Sequence, residues 1–266
     1  MSNSISSLQN PRIKAIRALA ERKAREETGL FFVEGARMLA EAAQANAAIE
    51  TLVVAPELLT DPRGIEAIAT LERRGAPRLD VTADVFRGLS RRSNPKGLAA
   101  VVCQRWEPLE AVQLASDQFG LALVEIGDPG NLGTILRTCD AVGVGTVFLI
   151  GDATDPHHPT ALSASTGAIF TQRLVKTTLS ELAEWKQAHG YTIVGTAPTT
   201  GRDYREASYP RPLVLLMGSE SSGLSHRERA ICDLLVSIPM VGRVSALNLA
   251  VATGLLLYEM SDPRSR

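Results

Sequence analysis

The sequence predicts an α/β protein in two parts, a small α/β sandwich followed by a larger domain built on a parallel sheet. Three observations carry this. Short β-like runs alternate with helix-length segments along the whole 266-residue chain. In the back half those runs are continuously apolar and rich in Val, Ile and Leu, the pattern of parallel strands covered on both faces. Between the halves, QRWEPLEAVQLASDQ (104–118) carries polar residues, one proline and no strand pattern, and reads as a linker.

In the front part LFFVEG, IETLVVA, RLDV and LAAVVCQ read as strands, separated by helical patterns over Arg12–Glu27, Ala36–Ala45 and Gly64–Arg74. They define a first domain over 1–105. The second, over 118–266, opens on LALVEI and continues through VFLI, YTIVGT, LVLLMG and LLVSIP. Ligands of such sheets bind where loops leave the carboxyl ends of the strands.

Composition excludes several classes. A hydrophobic fraction of 45% with 21% charged residues describes a folded globular chain. No apolar stretch reaches the roughly 18 residues of a membrane span, and MSNSISSLQNPRIK lacks the apolar core of a secretory signal. Cys103, Cys139 and Cys232 are odd in number and lack CxxC spacing, which predicts a reduced cytoplasmic setting and no metal site. Charge is unevenly distributed: net +4 over 1–105 and −5 over 106–266. The basic residues cluster in RIKAIRALAERKAR (12–25) and FRGLSRRSNPKG (86–97), which suits a phosphate-binding surface, although each cluster alone also reads as a solvated face.

Three loops at strand ends hold nearly all the polar oddities of the back domain. In GDPGNLGTILRTCDAVGV (127–144), Asn131 stands where a helix N-cap belongs and Arg137 follows six residues on, about 600° around the helix and so on a different face. The glycines give GxxGxxG, not the GxGxxG of a dinucleotide site, which argues against a nucleotide-dependent oxidoreductase. In LMGSESSGLSHRE, Gly218 and Gly223 permit close backbone approach, Glu220 places a carboxylate between them, and Ser225 with Glu228 forms a capping box. The third loop opens IPMVGRVSALNLAVATGLLLYEM (238–260), an apolar run that begins on Gly242, Arg243, Ser245 and Asn248.

Together NLGTILRT, LMGSESSGLS and IPMVGRVSALNLAVA, in this order, resemble the three signature motifs of the SpoU (TrmH-like) family of RNA ribose methyltransferases. NPRIKAIRAL, GLFFVEGARML and SNPKGLAAVV resemble the L30e-like substrate-binding domain that many members carry. The resemblance implies a SPOUT fold with a deep trefoil knot, a homodimer, S-adenosyl-L-methionine as cofactor and the ribose 2′-hydroxyl of a structured RNA as acceptor, rRNA ahead of tRNA. It implies cofactor contacts at Gly218, Ile238 and Leu247, joined by Met240, Thr196 and Leu216. Ile238, Met240 and Leu247 would wall the adenine while loose backbone groups read its polar edge.

Arg137 matches the family's key catalytic residue. A guanidinium is not deprotonated in proteins, so its expected work is to hold a phosphate and stabilise a developing alkoxide, reaching the partner subunit's site. Asn131, Glu220 and Asn248 would orient the reacting groups. Two positions depart from the pattern. Ala246 replaces the usual serine before Leu247-Asn248, leaving Ser245 as a substitute hydroxyl, and Ser163 replaces an arginine ahead of SASTGAIF. These departures leave a non-catalytic RNA-binding protein as the alternative. The pair His157-His158, flanked by prolines, reads as exposed and inert.

Overall fold

The computed structural model describes residues 4–198 and 201–262, which form two compact units. The first comprises residues up to Gln104 together with 157–170, and the second comprises 105–156 and the chain from Thr171 onward.

The first unit runs α1 (Pro11–Ala18), α2 (Arg22–Thr28), β1 (Leu30–Glu34), α3 (Ala36–Gln44), β2 (Ile49–Val54), α4 (Pro62–Arg73), β3 (Arg78–Asp80), α5 (Ala83–Leu89) and β4 (Leu98–Cys103). Its sheet is mixed, in the order β1-β4-β2-β3, with β4 antiparallel to both neighbours and β2 parallel to β3. Helix starts follow local chemistry. Asn10 caps α1 and Asp61 caps α4, each followed by a proline whose missing N–H costs nothing at the first helical position. One core of Ile13, Val53, Val81, Phe86 and Val101 gathers α1, α5 and the sheet.

The helix read over Arg12–Glu27 is two helices. The cause is Arg25, which is almost fully buried and donates from Nη1 to the carbonyls of Leu19 (2.7 Å) and Ala20 (2.8 Å). Those carbonyls lie in the break between the helices, so a side chain supplies the donors that a continuing helix would have supplied. The seven-residue α5 went unread because so short a segment shows little periodicity; Thr82 caps it and Val85 and Phe86 anchor it.

Residues 157–170, inside the span assigned from sequence to the second domain, pack with the first unit and contain α7 (Pro159–Ser165). His157 is 2% exposed, its ring centroid 4.5 Å from that of Phe31, which also lies near Phe170. His158 is half-buried and accepts from the N–H of Thr160, capping α7. The reading of an exposed pair is thus corrected. Flanking prolines fix the backbone, but the aromatic surface of β1 draws His157 inward.

The second unit runs β5 (Phe119–Val124), α6 (Pro129–Ala141), β6 (Thr146–Ile150), β7 (Arg173–Thr177), α8 (Leu179–His189), β8 (Thr192–Thr196), β9 (Arg202–Asp203), β10 (Leu213–Met217), α9 (His226–Ala230), β11 (Leu234–Ser237) and α10 (Leu249–Ser261). All pairings in its seven-stranded sheet are parallel, in the order β7-β6-β5-β10-β8-β11-β9. The continuously apolar strands are the inner ones, as their composition requires. The edge strands β7 and β9 were not read: RLVKT is interrupted by charge, and β9 has two residues. The stretch at 104–118 has no strand, yet Val112 and Leu114 are buried in the core beside Trp185 and Tyr191, whose Nε1 and hydroxyl bond the backbone of Val112 and Leu114. Among the described residues no helix is long and apolar enough to cross a membrane.

Arg25→Met should keep the volume of the buried side chain and strand two carbonyls. We expect a loss of about 2–3 kcal/mol, the scale of charged hydrogen bonds removed from a buried site, read in urea denaturation. An unchanged midpoint would show that the break between α1 and α2 is held by other contacts.

Candidate active site

The carboxyl ends of β5, β10, β8 and β11 are neighbours, so the loops that leave them start side by side. The loop after β5 leads into α6, whose N-cap is Asp128: its Oδ1 accepts from the N–H of Asn131 at 2.6 Å, and Pro129 occupies the first helical position. Asn131 is therefore inside the helix and not its cap. The Asp-Pro pair starts the helix three residues earlier than read, and this frees the Asn131 amide.

The loop after β10 folds back on itself. A Cβ on Gly218 would lie 2.1 Å from the carbonyl carbon of Gly223, and Gly223 has φ +63°. Neither position tolerates a side chain at low cost, and the space that Gly218 leaves is taken by its own loop. The Ser225–Glu228 capping box is formed at the start of α9.

From this folded loop Glu220 reaches the loop after β5. Its carboxylate accepts from the N–H of Gly127 (3.1 Å) and of Asp128 (3.3 Å) and from Nδ2 of Asn131 (3.4 Å). Asn131 in turn accepts through Oδ1 from Nδ2 of Asn248 at 3.0 Å. Asn248 caps α10, its Oδ1 accepting from the N–H groups of Ala250 and Val251. One hydrogen-bonded chain, Glu220–Asn131–Asn248, thus joins the three loops singled out by sequence. Partial burial pushes the Glu220 carboxyl up, but the N–H donors of Gly127, Glu220 itself and Asp128 and the Asn131 amide outweigh it and hold the group below the usual carboxylate range.

Residues 238–247 lie between β11 and α10 without regular structure. Ile238, Met240 and Leu247 are half-buried, whereas Val241 and Val244 stand exposed. Among the described residues, no hydrogen bond engages the backbone of this segment. Apolar side chains beside unengaged N–H and C=O groups are the donor set that an adenine-bearing cofactor needs, and these residues fit it. Thr196 sits half-buried at the end of β8. The side chain of Leu216 is in the core, on a strand paired on both sides.

Arg137 is exposed on α6 and, among the described residues, has no hydrogen-bond or ion-pair partner. It is not part of the Glu220 chain. Ser245 is exposed in the 238–247 segment and is equally unengaged. Sequence reasoning missed Asp128, although Asp before Pro at the start of an apolar-periodic run is a cap signal. It also missed a cavity of about 640 Å³ between α6 and α10, lined by Asn131, Thr134, Thr138, Asn248, Gly254 and Tyr258 among others.

The fold and the three tied loops define a ligand site at the carboxyl edge of a parallel sheet, and comparison with known proteins gives its class. Residues 118–258 match the SpoU rRNA Methylase family and residues 10–100 match the MRM3-like substrate binding domain. The chain belongs to the SpoU rRNA methylase family. It is similar to the 23S rRNA (guanosine(2553)-2′-O)-methyltransferase RlmP of Bacillus subtilis, with 28% identity over 96% of this chain and 98% of that one. It is similar to the 23S rRNA (uridine(2479)-2′-O)-methyltransferase of Streptomyces viridochromogenes, with 29% identity over 91% of this chain and 85% of that one. The crystal structure of an AdoMet-bound rRNA methyltransferase from Sinorhizobium meliloti superposes with a TM-score of 0.89, at 35% identity and covering 97% and 96% of the two chains.

Because the folded-state carboxyl of Glu220 is held low, it stabilises the protein fully above the ordinary carboxylate range, and this contribution fades as pH falls through the folded value. Wild type should therefore exceed Glu220→Gln in unfolding free energy at neutral pH, and the gap should close below about pH 4. Denaturation curves between pH 7 and pH 3 measure it; a gap independent of pH would refute the assignment.

Proposed function

We infer that this protein methylates the ribose 2′-hydroxyl of ribosomal RNA with S-adenosyl-L-methionine as donor. The observation that carries the reading is the Glu220–Asn131–Asn248 chain, which holds the three motif loops together beside the open 238–247 backbone. Near full-length relatives named as 23S rRNA 2′-O-methyltransferases, and an AdoMet-bound neighbour of the same fold, support it. Those two relatives are named for different bases, so the target base is chosen outside the machinery that they share.

When bound, S-adenosyl-L-methionine supplies an electrophilic methyl group. Ile238, Met240 and Leu247 would wall the adenine, and the backbone from Gly218 and 238–247 would hold its polar edge. Arg137 would bind a phosphate of the RNA and stabilise negative charge as the 2′-hydroxyl loses its proton. A planar guanidinium can serve two oxygens at once, which an ammonium cannot. Asn131 and Asn248 would fix the loop positions, and Ser245 offers the hydroxyl that Ala246 lacks.

The active form in this reading is a dimer that pairs through α10. On that helix Val251, Leu255 and Tyr258 are 53%, 40% and 60% exposed and follow one another at helical spacing. Pairing would cover them and would bring the unpartnered Arg137 of one copy to the other copy's loops. The trefoil knot belongs to the same proposal: the chain leaves β11, crosses to α6 and there starts α10, anchored at Asn131. Three free cysteines support a cytoplasmic site of action.

Calorimetry with S-adenosyl-L-methionine and transfer of labelled methyl to rRNA test the function; binding of neither cofactor nor its demethylated product would end it. Arg137→Ala should abolish transfer and leave cofactor binding intact. If the arginine acts across the dimer, mixing Arg137→Ala with the cofactor-site variant Leu247→Trp should restore roughly a quarter of wild-type activity, since about half the dimers are mixed and each has one working site. No recovery after verified subunit exchange would place Arg137 in its own subunit's site.

A further inference from the structure

The first unit contains a cavity of about 730 Å³ that the chemistry above does not use. Its walls divide by chemistry. Ile16, Phe32 and Met38 contribute apolar surface, while Lys14 and Arg17 of α1 and Arg91 beyond α5 bring positive charge. All three cations are exposed, and among the described residues none of their side chains is in an ion pair. Two carboxylates line it, the exposed Glu21 and the half-buried Glu34 at the end of β1. Both of its oxygens lie 2.8 Å from the hydroxyl of Ser90, and Arg91 donates to it from the backbone. One hydroxyl proton and one N–H leave further lone pairs on a carboxylate that can accept about four hydrogen bonds.

We propose that this cavity receives an unstacked guanosine of the RNA substrate, with Glu34 accepting from the base and Lys14, Arg17 and Arg91 holding its phosphates. The inference rests on the RNA reading given above. Single-stranded or looped RNA is recognised by splaying bases out and reading their edges, and the volume is that of a small-ligand pocket. An ionised carboxylate only accepts, so it favours an edge with adjacent donors. Guanine presents N1–H and its 2-amino group side by side. Adenine and cytosine offer one amino group beside a ring acceptor, and uracil offers one N–H between two carbonyls. Burial pushes the Glu34 carboxyl up despite Ser90, Arg92 and Arg91, so its charged form is under-served and gains from two further donors. Ser163 lies in the same lining and leaves the charge to the α1 and post-α5 cations.

The test titrates the full chain with GMP, IMP and AMP and follows backbone amide shifts. GMP should shift residues 14–21, 32–34 and 88–92 and bind about tenfold or more tightly than AMP, with IMP between them because it lacks the 2-amino group. Glu34→Gln should collapse this selectivity while leaving melting temperature and S-adenosyl-L-methionine binding in place, and should raise KM for rRNA. Selectivity is the decisive readout, since a merely structural role would not move it. Equal binding of GMP and AMP, selectivity retained in Glu34→Gln, or displacement by polyglutamate where nucleotides do nothing would each overturn the proposal. Methyl transfer to rRNA is measured in parallel. Transfer intact without guanine-selective shifts refutes the cavity assignment alone, whereas guanine-selective shifts in a wild-type protein that methylates no RNA refute the functional reading and retain the guanine site.

Discussion

Everything at the carboxyl edge of the parallel sheet depends on how one carboxylate is satisfied. Loops that leave parallel strands have no ladder to pair with, and three of them start here from neighbouring positions. Glu220 resolves the problem for two by accepting from Gly127, Asp128 and Asn131, and Asn131 passes the tie to Asn248 and the third. Each member does two jobs: Asn248 also caps α10, and Asn131 also serves as a helical residue of α6. Such a network fixes loop positions without a covering layer of apolar side chains, so the 238–247 backbone can remain open.

This arrangement also explains the distribution of glycine and proline around it. The loop bearing Glu220 must be tight to aim the carboxylate, and Gly218 and Gly223 allow it to close on itself. Asp128-Pro129 must start α6 early so that Asn131 falls one turn in, with its amide directed at Glu220 and Asn248. Moving the helix start by one residue would rotate Asn131 by about 100° and break the chain at its middle. Backbone chemistry at two turns therefore determines whether three polar side chains meet.

Much of this was legible in the sequence, for identifiable reasons. The inner strands β5, β6, β8, β10 and β11 announce themselves because burial on both faces requires unbroken apolar runs. The edge strands do not, since β7 is interrupted by an exposed Lys176 and β9 has only two residues. The loops stood out as polar clusters at strand ends, and Glu220 as a carboxylate with no cation nearby in sequence. What sequence could not supply was the identity of its partners: backbone N–H groups some ninety positions away carry no residue signature. Asn131 was misread as a cap because Asn and Asp are near-equal in that role, and the Asp-Pro that decides between them lies just upstream. His157 was misread for the opposite reason. Its neighbours in the chain are loop-formers, whereas its environment is Phe31, more than a hundred residues away. Leu216 carries no such polar signal, and the structure places its side chain in the core of the central strand.

The single chain has the marks of half a site. Arg137 is a solvent-facing cation on the helix that also carries Asn131, yet it lies away from Asn131's face and engages nothing among the described residues. The 238–247 segment offers half-buried Ile238, Met240 and Leu247 and a backbone that no hydrogen bond engages among the described residues, with its own Arg243 exposed. Val251, Leu255 and Tyr258 add an apolar stripe on α10, next to the cavity that separates this helix from α6. A stripe of that kind is costly to leave in water, so the proposed pairing of two copies would remove the cost and supply each set of loops with an arginine. Under that pairing the weak link is α10, whose start is held by Asn248. The same hydrogen-bonded chain that shapes the cofactor loops would then also set the angle at which the second subunit presents its Arg137, which makes loop order and dimer geometry a single variable.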